Sequence, residues 1–116
     1  MHNFIKKRFI NTVKYSLAGL KAACKTEQSF KLELFLSLVG LIFIIFSQTS
    51  KIEKLFLINS ILLVLLTELL NTAIEKTIDK ISKEIHYTSK VIKDLSSAAV
   101  FITVINLIIT WSIIFA

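Results

Sequence analysis

The chain has 116 residues, of which 54% are hydrophobic, and its formal net charge is +6 at pH 7. A mean hydropathy of +0.72 is well above that of an ordinary soluble domain, and the length predicts a single domain over residues 1–116. The positive charge alone would suit a nucleic-acid partner. The sequence carries no nucleic-acid-binding motif, however, and its long apolar segments require lipid, so we expect no nucleic acid among its partners.

The first predicted element is a basic amphipathic helix over residues 4–26. Apolar side chains recur along it at helical spacing: Phe9, Val13, Leu17, Leu20 and Cys24. Lysines occupy its other faces. Helices of this kind lie in the membrane interface, with the apolar face in lipid and the cations against headgroups. A simple headgroup anchor is the alternative to a functional role for this segment.

Three apolar segments follow, and they predict transmembrane helices over residues 30–50, 55–81 and 94–116. Each segment provides roughly the 20 residues that a helix needs to cross a bilayer. Residues 1–31 carry seven lysines and arginines and residues 76–94 carry five, whereas the short loop "KIEK" carries two. Because strongly basic loops stay in the cytoplasm, we expect a cytoplasmic N-terminus and a periplasmic C-terminus. The expected fold class is an all-α membrane protein.

The second of these segments carries acidic side chains that an apolar helix would normally exclude. At 100° per residue, four polar residues fall within an arc of about 80° on one helix face: Glu68, Asn71, Glu75 and Asp79. A carboxylate in lipid is costly and is usually tied to function. Neighbouring carboxylates repel each other unless a cation lies between them or one keeps a proton. The stripe therefore favours either a divalent-metal site or a general base.

Two structural or functional alternatives remain for this stripe. An intramembrane glutamate can pair with a lysine of another helix, or it can serve as a proton or cation site in a small transporter. A transport site would more naturally lie near the middle of the bilayer. Here the stripe continues into the charged segment 76–94, where water-soluble and lipid-soluble reactants can meet.

The segment "ELLNTAIEKTID", residues 68–79, resembles the signature of the prokaryotic diacylglycerol kinase family. The flanking segments "YSLAGLKAACKTEQSFKLE" and "KEIHYTSKVIKDLSSAAV" resemble the family's surface helix and its nucleotide-contacting loop. The resemblance runs from about Arg8 to the C-terminus. It implies three transmembrane helices and a surface helix per subunit, assembled as a homotrimeric helical bundle in the bacterial inner membrane. It also implies an enzyme that phosphorylates a membrane lipid alcohol with ATP and Mg²⁺.

The resemblance also implies roles for individual residues. Glu68 corresponds to the catalytic base, and Glu27 and Glu75 correspond to the ligands of the metal. The positions that correspond to ATP contacts are Arg8, Tyr15, Glu27, Glu75, Glu84, His86, Lys93 and Asp94. The positions that correspond to the lipid site are Arg8, Leu17, Lys21, Phe30, Lys31, Glu33, Glu68, Asn71 and Ser97. The sequence departs from one branch of the family at Leu17 and Lys21, where that branch has tryptophan and arginine.

The nucleotide site must be built from side chains. The sequence has neither a GxxxxGK[ST] nor a GxGxxG segment, and Gly19 and Gly40 are its only glycines. Carboxylates would hold Mg²⁺, and lysine and arginine would hold phosphates. The segments "DLSSAAV" and "ITWSII" resemble the branch that acts on diacylglycerol. An undecaprenol kinase of the same family is the alternative.

Overall fold

The computed structural model describes residues 1–81 and 87–116, which form four helices and, within those ranges, no strand. The helices are α1 (His2–Thr26), α2 (Gln28–Phe46), α3 (Lys51–Ile81) and α4 (Tyr87–Phe115). Three of them, α2, α3 and α4, are long and apolar enough to cross a membrane. The prediction of an all-α membrane protein with three transmembrane helices and an N-terminal helix is therefore confirmed.

A single extended residue, Glu27, separates α1 from α2. Its backbone angles are φ −121° and ψ 104°, and its N–H donates to the Ala23 carbonyl at 2.9 Å. Its own carbonyl accepts from the Lys31 N–H at 3.2 Å, so both helix ends are satisfied across the bend. Ala23 and Phe30 are buried on either side of the bend. The bend therefore places the Glu27 side chain at the corner between the two helices.

The loop between α2 and α3 is held by polar contacts at both helix ends. The N–H of Ser50 donates to Glu53 Oε1 at 2.9 Å, and the N–H of Glu53 donates to Ser50 Oγ at 3.1 Å. This reciprocal arrangement is a capping box, and it starts α3 at Lys51. Lys54 reaches back to the end of α2, where its Nζ donates to the carbonyls of Ile44 at 3.0 Å and Ser47 at 2.8 Å.

The apolar core lies at the end of the bundle that contains this loop. Ile44, Leu57 and Ile61 are buried together, and Leu107 and Trp111 of α4 pack against them. The indole N–H of Trp111 donates to Ser60 Oγ at 3.1 Å. Gly40 permits the close approach here, because a Cβ at that position would lie 3.2 Å from Ile61 Cδ1. Tight apolar packing thus fixes one end of the bundle.

The opposite end of α3 extends beyond this core. With 31 residues, α3 is about 46 Å long, whereas the hydrocarbon layer of a bilayer is about 30 Å thick. The 19 residues of α2 span only about 28 Å. The last turns of α3, which carry Glu75 and Asp79, can therefore reach water while its apolar middle remains in lipid.

Candidate active site at the polar end of the bundle

Helix α4 packs along the polar stripe of α3 and contacts it through side chains at successive levels. The hydroxyls of Thr67 and Thr103 lie 2.9 Å apart. One turn further along α3, Ser96 Oγ donates to Asn71 Oδ1 at 2.7 Å. Near the helix end, the ammonium of Lys93 donates to the carboxylate of Asp79. The polar residues of α3 are therefore met by polar partners rather than left against the apolar face of α4.

Asn71 stands at the centre of a short hydrogen-bonded chain. Its carbonyl oxygen accepts from Ser96, and its Nδ2 donates to Glu75 Oε1 at 3.2 Å. Ser96 is buried, with 8% of its surface exposed, and its Oγ also lies 2.9 Å from the carbonyl of Lys93. Because the carboxylate of Glu75 can only accept, the amide nitrogen of Asn71 faces it, and the amide oxygen is left to accept from Ser96. Ser96 thus orients Asn71, and Asn71 orients Glu75.

Glu68 lies two turns inward from Glu75 and is half-buried. Glu33, on the facing helix α2, is the acid nearest to it across the helix pair. The Oε2 atom of Glu33 is buried and has no hydrogen-bond partner among the described residues. The deepest part of the stripe is therefore a pair of facing carboxyl groups.

The corner residue Glu27 faces α3. Lys76 Nζ lies 3.5 Å from Glu27 Oε1 and donates to Thr26 Oγ1 at 3.3 Å. Beside this contact, a groove of about 550 Å³ separates α1 from α3, and Ser16, Gly19 and Ala73 are among its small lining residues. The ion pair brings Glu27 to the residue that directly follows Glu75, so the two carboxylates predicted to hold a metal lie on neighbouring elements.

The predicted nucleotide contacts are only partly gathered within one chain. Arg8 and Tyr15 are exposed in a groove of about 440 Å³, and all of its lining residues belong to α1. Lys93 pairs with Asp79, and Asp94 pairs with Lys90 at 2.8 Å. Glu84 and His86 lie outside the described residues. Within a single chain, Arg8 on α1 therefore lies apart from the acidic stripe of α3.

The predicted lipid-site residues also divide into two groups. Glu33 lies on α2 opposite Glu68 of α3, and Asn71 follows Glu68 by one turn on the same face of α3. Phe30, in the first turn of α2, is fully buried at 1% exposure. The remaining members are exposed on the surface of the single chain: Arg8, Leu17, Lys21, Lys31 and Ser97. The structure thus brings together the acids and the amide, but not the surface positions.

Two residues of this region were not among the predicted site positions. Ser96, rather than its neighbour Ser97, contacts Asn71, and Lys76 pairs with Glu27. A signal for Ser96 exists in the sequence, because Lys93, Ser96, Val100 and Thr103 recur every three or four residues on one face of α4. That face is the one that packs on α3. No comparable pattern marks Lys76.

Among the described residues, no three His, Cys, Asp or Glu side chains converge closely enough to form a complete metal cage. Mg²⁺ does not need one when it binds with a nucleotide. It usually takes one or two carboxylates and completes its octahedron with phosphate oxygens and water. Glu75 is exposed and uses one oxygen to accept from Asn71, and Glu27 is half-buried at the corner. Their hard oxygen atoms suit such a shared ion.

Fold and site together define a small multi-pass membrane protein with a stripe of carboxylates along one of its apolar helices. The chain belongs to the prokaryotic diacylglycerol kinase family, since the family model described as "Prokaryotic diacylglycerol kinase" matches residues 14–115. The resemblance seen in the sequence is thereby confirmed.

Three curated relatives extend this result. The diacylglycerol kinase of Haemophilus influenzae is 44% identical over 102 residues, which cover 88% of this chain and 86% of that protein. The diacylglycerol kinase of Pseudomonas aeruginosa is 40% identical, with 93% of this chain and 88% of that protein covered. The diacylglycerol kinase of Escherichia coli K12 is 38% identical, with 92% and 88% covered. Similarity therefore spans nearly the whole of each protein.

Proposed function

We propose that the chain is an ATP-dependent diacylglycerol kinase of the bacterial inner membrane, which transfers the γ-phosphate of ATP to the lipid hydroxyl and forms phosphatidate. The observation that carries the proposal is the chain of carboxylate and amide groups on α3, which runs from apolar depth at Glu68 to the exposed Glu75. In a member of this family, such a chain connects a substrate that arrives from lipid with a substrate that arrives from water.

In this proposal Glu68 is the general base. Its carboxylate accepts the proton of the diacylglycerol hydroxyl, and the hydroxyl oxygen forms a bond to the γ-phosphorus as the bond to the ADP oxygen breaks. Phosphoryl transfer requires mainly positioning and neutralisation of charge, so no covalent intermediate on the protein is needed. A side chain that reaches the hydroxyl from within the bilayer must lie at apolar depth, and this proposal gives Glu68 that position because leucines flank it on α3.

Glu75 and Glu27 would hold the Mg²⁺ ion, which neutralises charge on the phosphates when it is bound. Two contacts within the chain support these roles for Glu75 and Glu27. Asn71, held by Ser96, fixes one oxygen of Glu75 and leaves the other available. Lys76, beside Glu27, is a cation of the kind that pairs with phosphate oxygens.

The remaining nucleotide contacts in this proposal come from Arg8, Tyr15, Lys93 and Asp94, together with Glu84 and His86 of the undescribed segment. Arg8 and Tyr15 lie in a groove formed by α1 alone. A homotrimer would allow α1 of one subunit to approach the acidic stripe of another. Because α1 carries these nucleotide contacts, the N-terminus in this proposal lies in the cytoplasm, where ATP is available. The three transmembrane helices then place the C-terminus in the periplasm.

Diacylglycerol is favoured over undecaprenol as the substrate because the matched relatives are named diacylglycerol kinases. A transporter is not supported, since the family match covers residues 14–115, including the whole acidic stripe.

The proposal is tested with purified protein in mixed micelles that contain Mg-ATP and either diacylglycerol or undecaprenol. We expect phosphatidate as the main product, and we expect its formation to stop when Mg²⁺ is removed by a chelator and to resume when Mg²⁺ is restored. Micelles without the protein provide the control. Faster formation of undecaprenyl phosphate would assign the other lipid, and silence on both lipids would refute the kinase proposal.

A further inference from the structure

The ammonium of Lys76 is held by two side-chain oxygen atoms at the end of α1. Its Nζ donates to Thr26 Oγ1 at 3.3 Å and lies 3.5 Å from Glu27 Oε1. The hydroxyl of Thr26 donates to the carbonyl of Ala22 at 2.9 Å, so its lone pairs are left to accept from the ammonium. Contacts with two residues therefore fix the ammonium of Lys76, which is 50 positions from Thr26 in the sequence.

This end of α1 is a favourable place for a cation. The helix ends at Thr26, and the C-terminus of a helix carries a partial negative charge. The carboxylate of Glu27 adds a full negative charge at the next residue. In the groove of about 550 Å³ between α1 and α3, Lys76 is the one charged side chain of the lining. The features that hold its ammonium would attract another cation equally well.

The proposed metal site uses the same carboxylate. In the proposed function, on which this inference rests, Glu27 and Glu75 hold Mg²⁺. Glu75 directly precedes Lys76 on α3, and the Nδ2 of Asn71 orients it at 3.2 Å. A metal ion and an ammonium at one carboxylate are like charges a few ångströms apart, and they repel each other. Occupation of Glu27 by one cation therefore opposes its occupation by the other.

We propose that Lys76 competes with the divalent metal for the Glu27 carboxylate and thereby sets the metal concentration that the enzyme requires. Its ammonium belongs to the chain, so it is available to Glu27 at every metal concentration. A divalent ion carries twice its charge and has Glu75 as a second ligand, so Lys76 gives up the contact when metal is abundant. Lys76 is thus a positioning residue that acts through Glu27, and its released ammonium can pair with phosphate oxygens of the nucleotide.

Direct binding of Mn²⁺ tests the competition without any assay of activity, because carboxylates bind Mn²⁺ as they bind Mg²⁺. Electron paramagnetic resonance of the unbound ion gives the Kd with purified protein in micelles and without nucleotide. Because 54% of the Lys76 side chain and 37% of the Glu27 side chain are exposed, their ion pair is weak. We therefore expect Lys76→Met to lower the Kd for Mn²⁺ by about two- to fivefold. Equal binding by the two proteins, or no binding by either, would overturn the inference.

Two further variants separate competition at Glu27 from a general loss of positive charge. Lys80→Met removes an exposed lysine one turn further along α3, and it should lower the Kd for Mn²⁺ less than Lys76→Met does. In a Glu27→Gln background, Lys76→Met should no longer tighten binding, since the contested carboxylate is gone. A decrease of equal size in Lys80→Met, or in the Glu27→Gln background, would assign the effect to net charge and contradict the inference.

The Mg²⁺ dependence of phosphatidate formation at saturating ATP tests the consequence for the enzyme. The half-activating Mg²⁺ concentration should be about two- to fivefold lower in Lys76→Met than in the wild type, whereas Lys76→Arg, which keeps the charge, should restore it. An unchanged Mg²⁺ requirement in Lys76→Met would contradict the role. Failure of wild-type protein to phosphorylate diacylglycerol would refute the proposed function, while the Mn²⁺ titrations would still decide the competition.

Discussion

At the scale of single residues, each acid of the candidate site has a different kind of neighbour. Glu75 accepts from Asn71, Glu27 receives Lys76, Asp79 receives Lys93, and Glu68 faces another carboxyl group. Only the last acid has no amide or cation beside it among these contacts.

The contact between Ser96 and Asn71 gives the first prediction. The Ser96→Ala variant removes the donor that fixes the Asn71 amide, so Glu75 loses its orientation. A hydrogen bond of this kind contributes about 1 kcal/mol, and we expect kcat/KM for ATP to fall roughly fivefold. The matched control is Ser112→Ala, an exposed serine near the other end of α4. Equal kinetics in the two variants would remove Ser96 from the site.

At the scale of helices, hydropathy predicts the three membrane-spanning elements but not where each of them begins. Helix α3 starts at Lys51 because Ser50 and Glu53 cap it, and α4 starts at Tyr87, well before its apolar segment. Lys90 and Asp94 stabilise this first part of α4 as an i,i+4 pair. A scan for apolar residues misses such charged turns. Local capping motifs, by contrast, are visible in the sequence as "SKIE".

The site shows a similar division. The face that joins Glu68, Asn71 and Glu75 follows from helical periodicity alone. The partners on other helices do not, because the choice between Ser96 and Ser97 depends on how α4 is rotated against α3. Likewise, the approach of Lys76 to Glu27 depends on the bend at Glu27, which a single extended residue creates. Sequence periodicity predicts which residues share one face of a helix, whereas the packing of the helices determines which of these faces are in contact.

The loop between α2 and α3 gives a prediction about stability. Lys54 donates to two carbonyls at the C-terminus of α2, where a cation also favours the helix dipole. The Lys54→Met variant keeps the alkyl chain and loses these bonds, so the free energy of unfolding in mixed micelles should fall by about 1–3 kcal/mol. Lys51→Met, which changes an exposed lysine of the same turn, is the control. An unfolding free energy equal to that of the control would show that the cap contributes nothing.

At the scale of the whole molecule, one chain leaves most of its apolar surface uncovered. Between 6% and 17% of the most apolar windows of α2, α3 and α4 is buried within the chain. Phenylalanines and isoleucines along all three helices are exposed, Phe35, Phe46 and Phe101 among them. In a membrane, lipid would cover these faces, and further subunits would cover part of them in an oligomer. Assembly as a homotrimer would also provide neighbours for the isolated groove of Arg8 and Tyr15.

Subunit mixing tests whether sites form between subunits. Chains that carry Arg8→Leu and chains that carry Glu68→Gln should each be poorly active alone. If α1 of one subunit serves the acidic stripe of another, mixed oligomers contain some sites with both wild-type residues. We then expect phosphatidate formation in the co-expressed mixture to exceed that of either variant alone. Mixed oligomers with no recovered activity would instead place both residues of each site in the same chain.

The central claim is that Glu68 removes the proton of the lipid hydroxyl, and the kcat of the Glu68→Gln variant tests it most directly. Glutamine preserves the shape of the side chain but cannot accept that proton. A positioned general base contributes about 10²–10⁴-fold, so kcat should fall within that range while KM for ATP and for diacylglycerol changes much less. Glu53→Gln, on the same helix within the capping box, should retain wild-type kcat. A folded Glu68→Gln protein that loses less than about threefold in kcat would contradict the account.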